Sequence, residues 1–309
     1  MDNLEKQLIW LNEKIIPLEE ANINLMTTTA QYGINVFEGV RCYYNREQKQ
    51  LYAFRLAEHL ERLFNSAKIL RFELNESFTS NYAEDSMKDV IKANDYKEDI
   101  YVKIGLYLSG KGSWSSSSPI GFFIYPFPKG RVYSDKIGLE SCIVSWERIG
   151  ESNIPPRMKA GANYLNSRLG QLEANRNGYD SAIFLNRNGH IAEGSGACLF
   201  MVRKGKLITP SVTGSILESI TRQTIIDIAI SEMNMSVDER EVDRTELYIA
   251  DEIFFVGTSV EIIPIISVDK ILINHGNVGH ITNRLKELYF KIAKGTENKF
   301  KKWLTEIPL

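Results

Sequence analysis

A switch of hydrophobic period near the start of the chain constrains the fold more than any other feature. Tyr32 to Tyr44 and Leu51 to Phe54 read as two strands split by a polar turn, Asn45 to Gln50. Helical spacing follows at once, with Leu56, Leu60, Leu63, Phe64, Ala67 and Leu70 on one face and His59, Glu61, Arg62 and Lys68 on others. A second, more polar helix is expected from Thr79 to Ala93. Two apolar runs come next, Tyr101 to Leu108 and Ile120 to Phe127, around Ser109-Gly110-Lys111-Gly112-Ser113-Trp114 and four serines, the most flexible-looking stretch of the chain.

Pro126, Pro128 and Gly130 then break the pattern and mark a domain junction. Beyond it, strand-like runs at Ile137 to Trp146, Ser181 to Leu185, Ala197 to Val202 and Ile253 to Val256 alternate with helices at Asn163 to Asn177 and Ser219 to Glu232. A last helix carries Ile281, Leu285, Leu288, Tyr289 and Ile292 on one face. No internal repeat is present. The expectation is a two-domain α/β (α+β) chain: a small domain over residues 1–126, an interdomain loop over 127–135 and a larger domain over 136–309. Its 309 residues suit two domains at about 150 residues each.

Composition narrows the function classes. With 37 Lys and Arg against 39 Asp and Glu, the net charge of -2 provides no basic field for nucleic acid. No apolar run approaches the ~18 residues that span a bilayer. Asp2, Glu5, Glu13 and Lys14 stand where a signal peptide needs an apolar stretch. Cys42, Cys142 and Cys198 form no Cys-x-x-Cys pair and fit a reducing cytoplasm. His59, His190, His275 and His280 lack partners at zinc-ligand spacing, so surface or structural roles are expected and a metal hydrolase is disfavoured. Gly110-Lys111-Gly112 has Ser115 at the third glycine of a dinucleotide loop and precedes a strand. Ser195 between Gly194 and Gly196 misses the nucleophile-elbow spacing.

Four short stretches carry chemistry together. Lys159 follows Pro155 and Pro156, which stiffen its approach, and precedes Ala160-Gly161-Ala162, which leaves room around an amine. Glu193-Gly194-Ser195-Gly196-Ala197 puts one carboxylate in a glycine turn that a flat ligand can approach, although an ordinary hairpin has the same composition. Gly214 to Arg222 opens a helix whose free N–H groups, with Ser219 and Thr221, make either a phosphate cradle or a simple cap. Val256-Gly257-Thr258-Ser259 adds a strand end with more amides and hydroxyls. Amine, carboxylate and phosphate cradle point to pyridoxal phosphate.

From Thr29 to Leu288 the chain resembles the fold type IV pyridoxal-phosphate enzymes, and within them the branched-chain amino acid aminotransferases. The specific stretches are Tyr32 to Arg41, Phe54 to Leu63, Lys159 to Ser167 and Gly189 to Ala197. The resemblance implies that Lys159 bonds the cofactor and carries the proton between substrate Cα and cofactor C4′. It implies that Glu193 partners the pyridine nitrogen, that Tyr164 bonds the phenolic oxygen, and that Arg55 holds the phosphate with Ile220, Thr221 and Thr258. Leu217 would press against the ring. On the substrate side it implies Tyr32, Phe37 and Tyr101 as walls, Gly39 as open space, Arg41 in the same pocket, and the Thr258-Ser259 amides for the α-carboxylate.

The implied reaction moves an amino group between Leu, Ile or Val and 2-oxoglutarate by a ping-pong mechanism. Lyases of the aminodeoxychorismate type and aminotransferases for D- or other amino acids share the scaffold. Family enzymes are homodimers or higher oligomers, and no membrane or nucleic-acid partner is implied. The two halves of the sequence both contribute, Arg55 and Tyr32 from the first and Lys159, Glu193 and Thr221 from the second. Ser259 replaces a more usual alanine, Lys103 stands where an arginine is usual, and the loop carrying Arg131 and Tyr133 is shorter than usual. Lysine keeps the charge but loses the planar fork that grips a carboxylate. The resemblance implies that the residue at position 103 helps hold the distal carboxylate of glutamate, so steady-state kinetics should give a higher KM for 2-oxoglutarate than for apolar 2-oxo acids, and equal values would refute that effect of lysine.

Overall fold

The computed structural model describes residues 7–133 and 135–309. Asp2 and Glu5 of the amino-terminal reading and Ser134 of the expected interdomain loop lie outside them. Two compact units result. One holds the chain up to Gly130 together with Met158–Ala162 and Lys291–Leu309, the other Arg131–Arg157 and Asn163–Phe290. The chain thus enters the first unit three times, which a single boundary near Pro126 does not provide for. Lys159, read from sequence with the second half, lies in the first unit.

The first unit is built on seven antiparallel strands: β1 (Leu8–Leu11), β2 (Lys14–Pro17), β3 (Asn35–Asn45), β4 (Gln50–Phe54), β5 (Ile100–Leu108), β6 (Ile120–Pro128) and, from the far end of the chain, β16 (Leu304–Ile307). Their order is β16-β4-β3-β5-β6-β1-β2. The helices are α1 (Thr28–Tyr32), α2 (Leu56–Ile69) and α3 (Ser80–Asn94). Val36, Val40 and Cys42 on β3 and Val102, Ile104 and Leu106 on β5 form one core with Leu56, Leu60 and Leu63 of α2 and Met87, Val90 and Ile91 of α3. The alternate residues of the same strands, Phe37, Gly39, Arg41, Tyr101 and Lys103, point to the other face.

Three local expectations change in this unit. Tyr32 ends α1 instead of opening a strand: the Thr27 side chain caps that helix by accepting from Ala30 N, and Gly33 stops it in the left-handed region at φ +69°. Phe127 and Pro128 belong to β6, opposite Tyr101 and Ile100, and not to a loop. Pro126 is accommodated because β1 pairs with β6 at Phe123 and Ile124, so the proline falls past that pairing. The serine stretch is tied down, since the Ser117 and Ser118 hydroxyls donate to the Glu73 carboxylate at 2.7 and 3.2 Å.

The second unit carries a nine-stranded mixed sheet. Its strands are β7 (Leu139–Glu147), β8 (Ser181–Leu185), β9 (Ile191–Gly194), β10 (Cys198–Arg203), β11 (Lys206–Thr209), β12 (Val237–Glu239), β13 (Glu252–Gly257), β14 (Glu261–Val268) and β15 (Ile271–Leu272). The order is β12-β11-β10-β13-β14-β7-β8-β9, with β15 beside β14. Its helices are α4 (Asn163–Arg176), α5 (Ile220–Met233), the short α6 (Arg244–Leu247) and most of α7 (His280–Ala293). Ser219 caps α5 by accepting from Arg222 N at 3.2 Å. Glu252 caps α7, accepting from Ile281 N at 3.0 Å and Thr282 N at 2.7 Å, where its charge also suits the helix dipole. Among the described residues no helix is long and apolar enough to cross a membrane.

One charged group interrupts the apolar face of β3. Glu38 is fully buried, and α2 supplies its partners. Arg62 Nε donates to Oε1 at 2.6 Å, Arg62 Nη2 to Oε2 at 2.9 Å, and His59 Nδ1 lies 2.7 Å from Oε2. An ionised carboxylate can only accept, so His59 carries its hydrogen on Nδ1. Burial alone would raise the Glu38 pKa, but the Arg62 charge and the hydrogen bonds overcome it and hold the carboxyl well below its ordinary 4.5. Burial pulls His59 below 6.5 against the opposing Glu38 carboxylate, and it is neutral at pH 7.

Both shifts make acid destabilising. Unfolded His59 takes up a proton below about pH 6.5 and unfolded Glu38 below about 4.5, while the folded groups resist. Stability measured by urea unfolding should therefore be complete at pH 7 and fall in two stages through those values. Glu38→Gln leaves the Arg62 charge buried without its counter-ion and should cost about 3–5 kcal/mol at pH 7 while removing the lower stage. A loss under about 1 kcal/mol would show that the cluster is not what joins α2 to β3.

Candidate active site

Lys159 is held in the first unit by its main chain. Phe37 N donates to Lys159 O at 3.0 Å. Lys159 N donates to the Ser66 hydroxyl at 3.1 Å, and Val36 pairs with Ala160 as an isolated bridge. Two residues on, a Cβ on Gly161 would lie 2.6 Å from Asn35 Oδ1, so a side chain there would displace the Asn35 amide. The Lys159 amine stands 4.9 Å from the centre of the Phe37 ring. β3 and α2 thus grip the lysine from two sides, and Glu38 with His59 and Arg62 joins that strand to that helix.

The remaining first-unit candidates separate into two groups. Phe37, Gly39, Arg41, Tyr101 and Lys103 share one face of the sheet through the pairs Gly39 to Lys103 and Arg41 to Tyr101. Gly39 is required there, since a Cβ would fall 1.7 Å from the Tyr101 hydroxyl. Arg41 is 1% exposed, and its guanidinium donates to the carbonyls of Lys129 and of Gly130, the latter at 3.0 Å. Lys103 is exposed, and Lys129 stands 4.5 Å from the Tyr101 ring centre. Arg55 lies elsewhere, at the junction of β4 and α2, with its Nε donating to Glu58 Oε1 at 2.7 Å. Tyr32 is exposed at the end of α1.

In the second unit Glu193 lies on β9, buried, with both oxygens engaged. Arg148 approaches Oε1 through Nε at 2.9 Å and Nη2 at 2.8 Å. Leu217 N donates to Oε2 at 3.3 Å, and the Cys198 thiol lies 3.8 Å from the same oxygen. Arg148 is itself fixed by Asn166 Oδ1 at 2.8 Å and the Ser167 hydroxyl at 3.2 Å, both on α4. The sequence reading missed Arg148, an isolated arginine at a strand end that no motif marks. It also gave no role to Glu38 or Arg62, although both lie in the quoted stretches, and for His59 it left open a surface or a structural role, of which the structure shows the structural one. A carboxylate on the otherwise apolar face of Val36, Val40 and Cys42 was the signal.

The turns around Glu193 and Thr258 are neighbours because β10 and β13 pair Cys198 with Val256. A Cβ on Gly257 would lie 3.3 Å from Gly196 O. A Cβ on Gly196 would have the Tyr164 ring 4.0 Å away and nothing nearer, so the turn is open at Gly196, whereas the Phe255 ring fills the space at Gly194. Thr258 and Ser259 begin the turn into β14 and are half-buried. Ile220 and Thr221 open α5, where amides without intrahelical acceptors suit an anion. Among the described residues no group of three His, Cys, Asp or Glu side chains is arranged for a metal.

Residues 35–268 match the model of the family described as amino-transferase class IV, and the chain belongs to that family. It is 36% identical to the branched-chain-amino-acid aminotransferase of Escherichia coli K12 over 99% of both chains. Among solved structures it is similar to the pyridoxal-phosphate form of the branched-chain amino acid aminotransferase from Thermobaculum terrenum, with a TM-score of 0.93 and 42% identity over 98% of this chain and 99% of that one. The branched-chain aminotransferase from the archaeon Thermoproteus uzoniensis, solved with norvaline, matches at a TM-score of 0.92 and 38% identity over 98% of this chain and 99% of that one. Both structures have the mixed α/β fold expected here.

Removing the Arg148 guanidinium would strand the Glu193 charge and leave Asn166 and Ser167 without that donor. Arg148→Met should lower stability by about 3–5 kcal/mol, while Arg148→Lys should recover part of it. Urea unfolding of the cofactor-free chain measures both, and equal stability of wild type and Arg148→Met would exclude a buried ion pair.

Proposed function

We propose that this chain is a pyridoxal-phosphate-dependent branched-chain amino acid aminotransferase. It moves the amino group of leucine, isoleucine or valine to 2-oxoglutarate in two half-reactions. Full-length similarity to branched-chain enzymes at 36–42% identity supports the reaction class. The observation that carries the cofactor is Glu193, a buried carboxylate kept in place by Arg148 on the strand that leads into the open turn at Gly196. Such a carboxylate suits a ring nitrogen that must stay protonated.

Bound pyridoxal phosphate supplies a sink for the electron pair released when the substrate Cα loses its proton. In the first unit Lys159 would hold the cofactor through its amine and, once freed by the substrate amine, would serve as the acid–base group that moves the substrate Cα proton. Arg55 holds the phosphate as a charged fork. In the second unit Glu193 holds the proton on the pyridine nitrogen, Tyr164 bonds the phenolic oxygen, and Leu217 orients the ring. The α5 amides at Ile220 and Thr221, with Thr258, take phosphate oxygens.

For the substrate, Tyr32, Phe37 and Tyr101 supply apolar walls and Gly39 the space between them. Lys103 and Arg41 supply positive charge for a dicarboxylate, and the Thr258 and Ser259 amides hold the α-carboxylate. A homodimer fits the surface: Leu165, Leu169 and Leu172 are exposed at helical spacing on α4, and Tyr32 is exposed on α1. Cytoplasmic residence fits three buried cysteines, none of them in a disulfide.

Incubating the cofactor-loaded protein with leucine alone should convert the cofactor stoichiometrically to its pyridoxamine form, followed by absorbance. No conversion would favour a lyase on the same scaffold. Borohydride reduction of the loaded protein, followed by peptide mapping, should place the label on Lys159, and Lys159→Ala should abolish both signals.

A further inference from the structure

Arg55 is held by three contacts in a strained backbone conformation. Its backbone is in the left-handed region at φ +52°, a conformation that few arginines adopt without support. Its amide donates to Trp303 O at 2.7 Å, because β16 pairs with β4 and sets Leu304 opposite Phe54. The guanidinium carbon lies 4.6 Å from the centre of the Trp303 ring, and Nε is bonded to Glu58. Trp303 is 7% exposed and is itself wedged between Phe54, at 6.1 Å edge-on, and Phe300, at 4.6 Å.

The indole face under the guanidinium carbon and the bond from Nε to Glu58 together restrict where the guanidinium can lie. An arginine otherwise has many rotamers to lose when it grips an anion, so a fork fixed beforehand binds more tightly. We infer that Trp303 is a positioning residue for the cofactor phosphate: the turn Asn298–Trp303, held against β4 by the following strand β16, aims Arg55 and thereby forms part of the phosphate anchor. The inference rests on the phosphate role proposed for Arg55. It ties cofactor retention to the carboxy-terminal segment Asn298 to Ile307, far in sequence from every residue that touches the reacting atoms.

The test compares two ligands that differ only in the phosphate. The full-length protein is stripped of cofactor and titrated with pyridoxal phosphate and with pyridoxal, following absorbance. Trp303→Leu should raise the Kd for pyridoxal phosphate about tenfold and leave that for pyridoxal within about twofold. Trp303→Phe, which keeps an aromatic face and the contacts to Phe54 and Phe300, should lie between wild type and Trp303→Leu, and carries the test if the leucine variant does not fold. Equal weakening toward both ligands would show a packing role alone and overturn the inference, as would an unchanged Kd for pyridoxal phosphate. Arg55→Gln separates the two failures. If it leaves pyridoxal phosphate binding unchanged, the phosphate role of Arg55 is wrong, whereas if it weakens binding and Trp303→Leu does not, only the positioning by Trp303 is wrong.

Discussion

A carboxylate with no access to water, on the helix-facing side of a central strand, is the constraint on which the first unit depends. Glu38 cannot remain ionised there without a counter-charge, and the elements packed against that side of β3 are helices. His59 and Arg62, three residues apart on α2, lie on one face of the helix and meet both oxygens. Once they do, the rotation and height of α2 over the sheet are set. Ser66, one turn beyond Arg62, then falls where it can accept from Lys159 N, and Phe37, beside Glu38 on the strand, donates to Lys159 O. The lysine inherits its position from an ion cluster it does not belong to.

The second unit repeats the device with different parts. Glu193 is buried, Arg148 neutralises it, and α4 fixes Arg148 through Asn166 and Ser167. In both units a carboxylate–arginine pair is made where desolvation makes each partner intolerable alone. Such pairs add little net stability over apolar packing, but they penalise any other arrangement of the same elements. Both specify geometry next to a side chain for which chemistry is proposed.

Parts of the chain remote in sequence complete this arrangement. The carboxy-terminal strand reaches β4 and brings Trp303 over Arg55. Arg41 reaches from the middle of β3 to the carbonyls of Lys129 and Gly130, tying the segment after β6 to the sheet. Glu73 similarly fastens the serine stretch before β6. In each case a charged or aromatic side chain does for a loop what a hydrogen-bonded ladder does for a strand.

The sequence alone determined the element types, because period 2 and period 3.6 are local properties: β8 occupies Ser181 to Leu185 as read, and α2, α4 and α5 begin and end within one residue of their expected bounds. It also marked Lys159, Glu193 and the α5 start as a set, since amines, carboxylates and glycine turns declare their chemistry by residue type and spacing. Short strands such as β1, β2, β12 and β16 escaped, having too few residues for a period to register. So did the assignment of Lys159 to the first unit and the parts played by Glu38, Arg62, Arg148 and Trp303. These depend on partners tens or hundreds of residues away, and whether a charge is buried, and against what, is decided only when strands and helices pack around it.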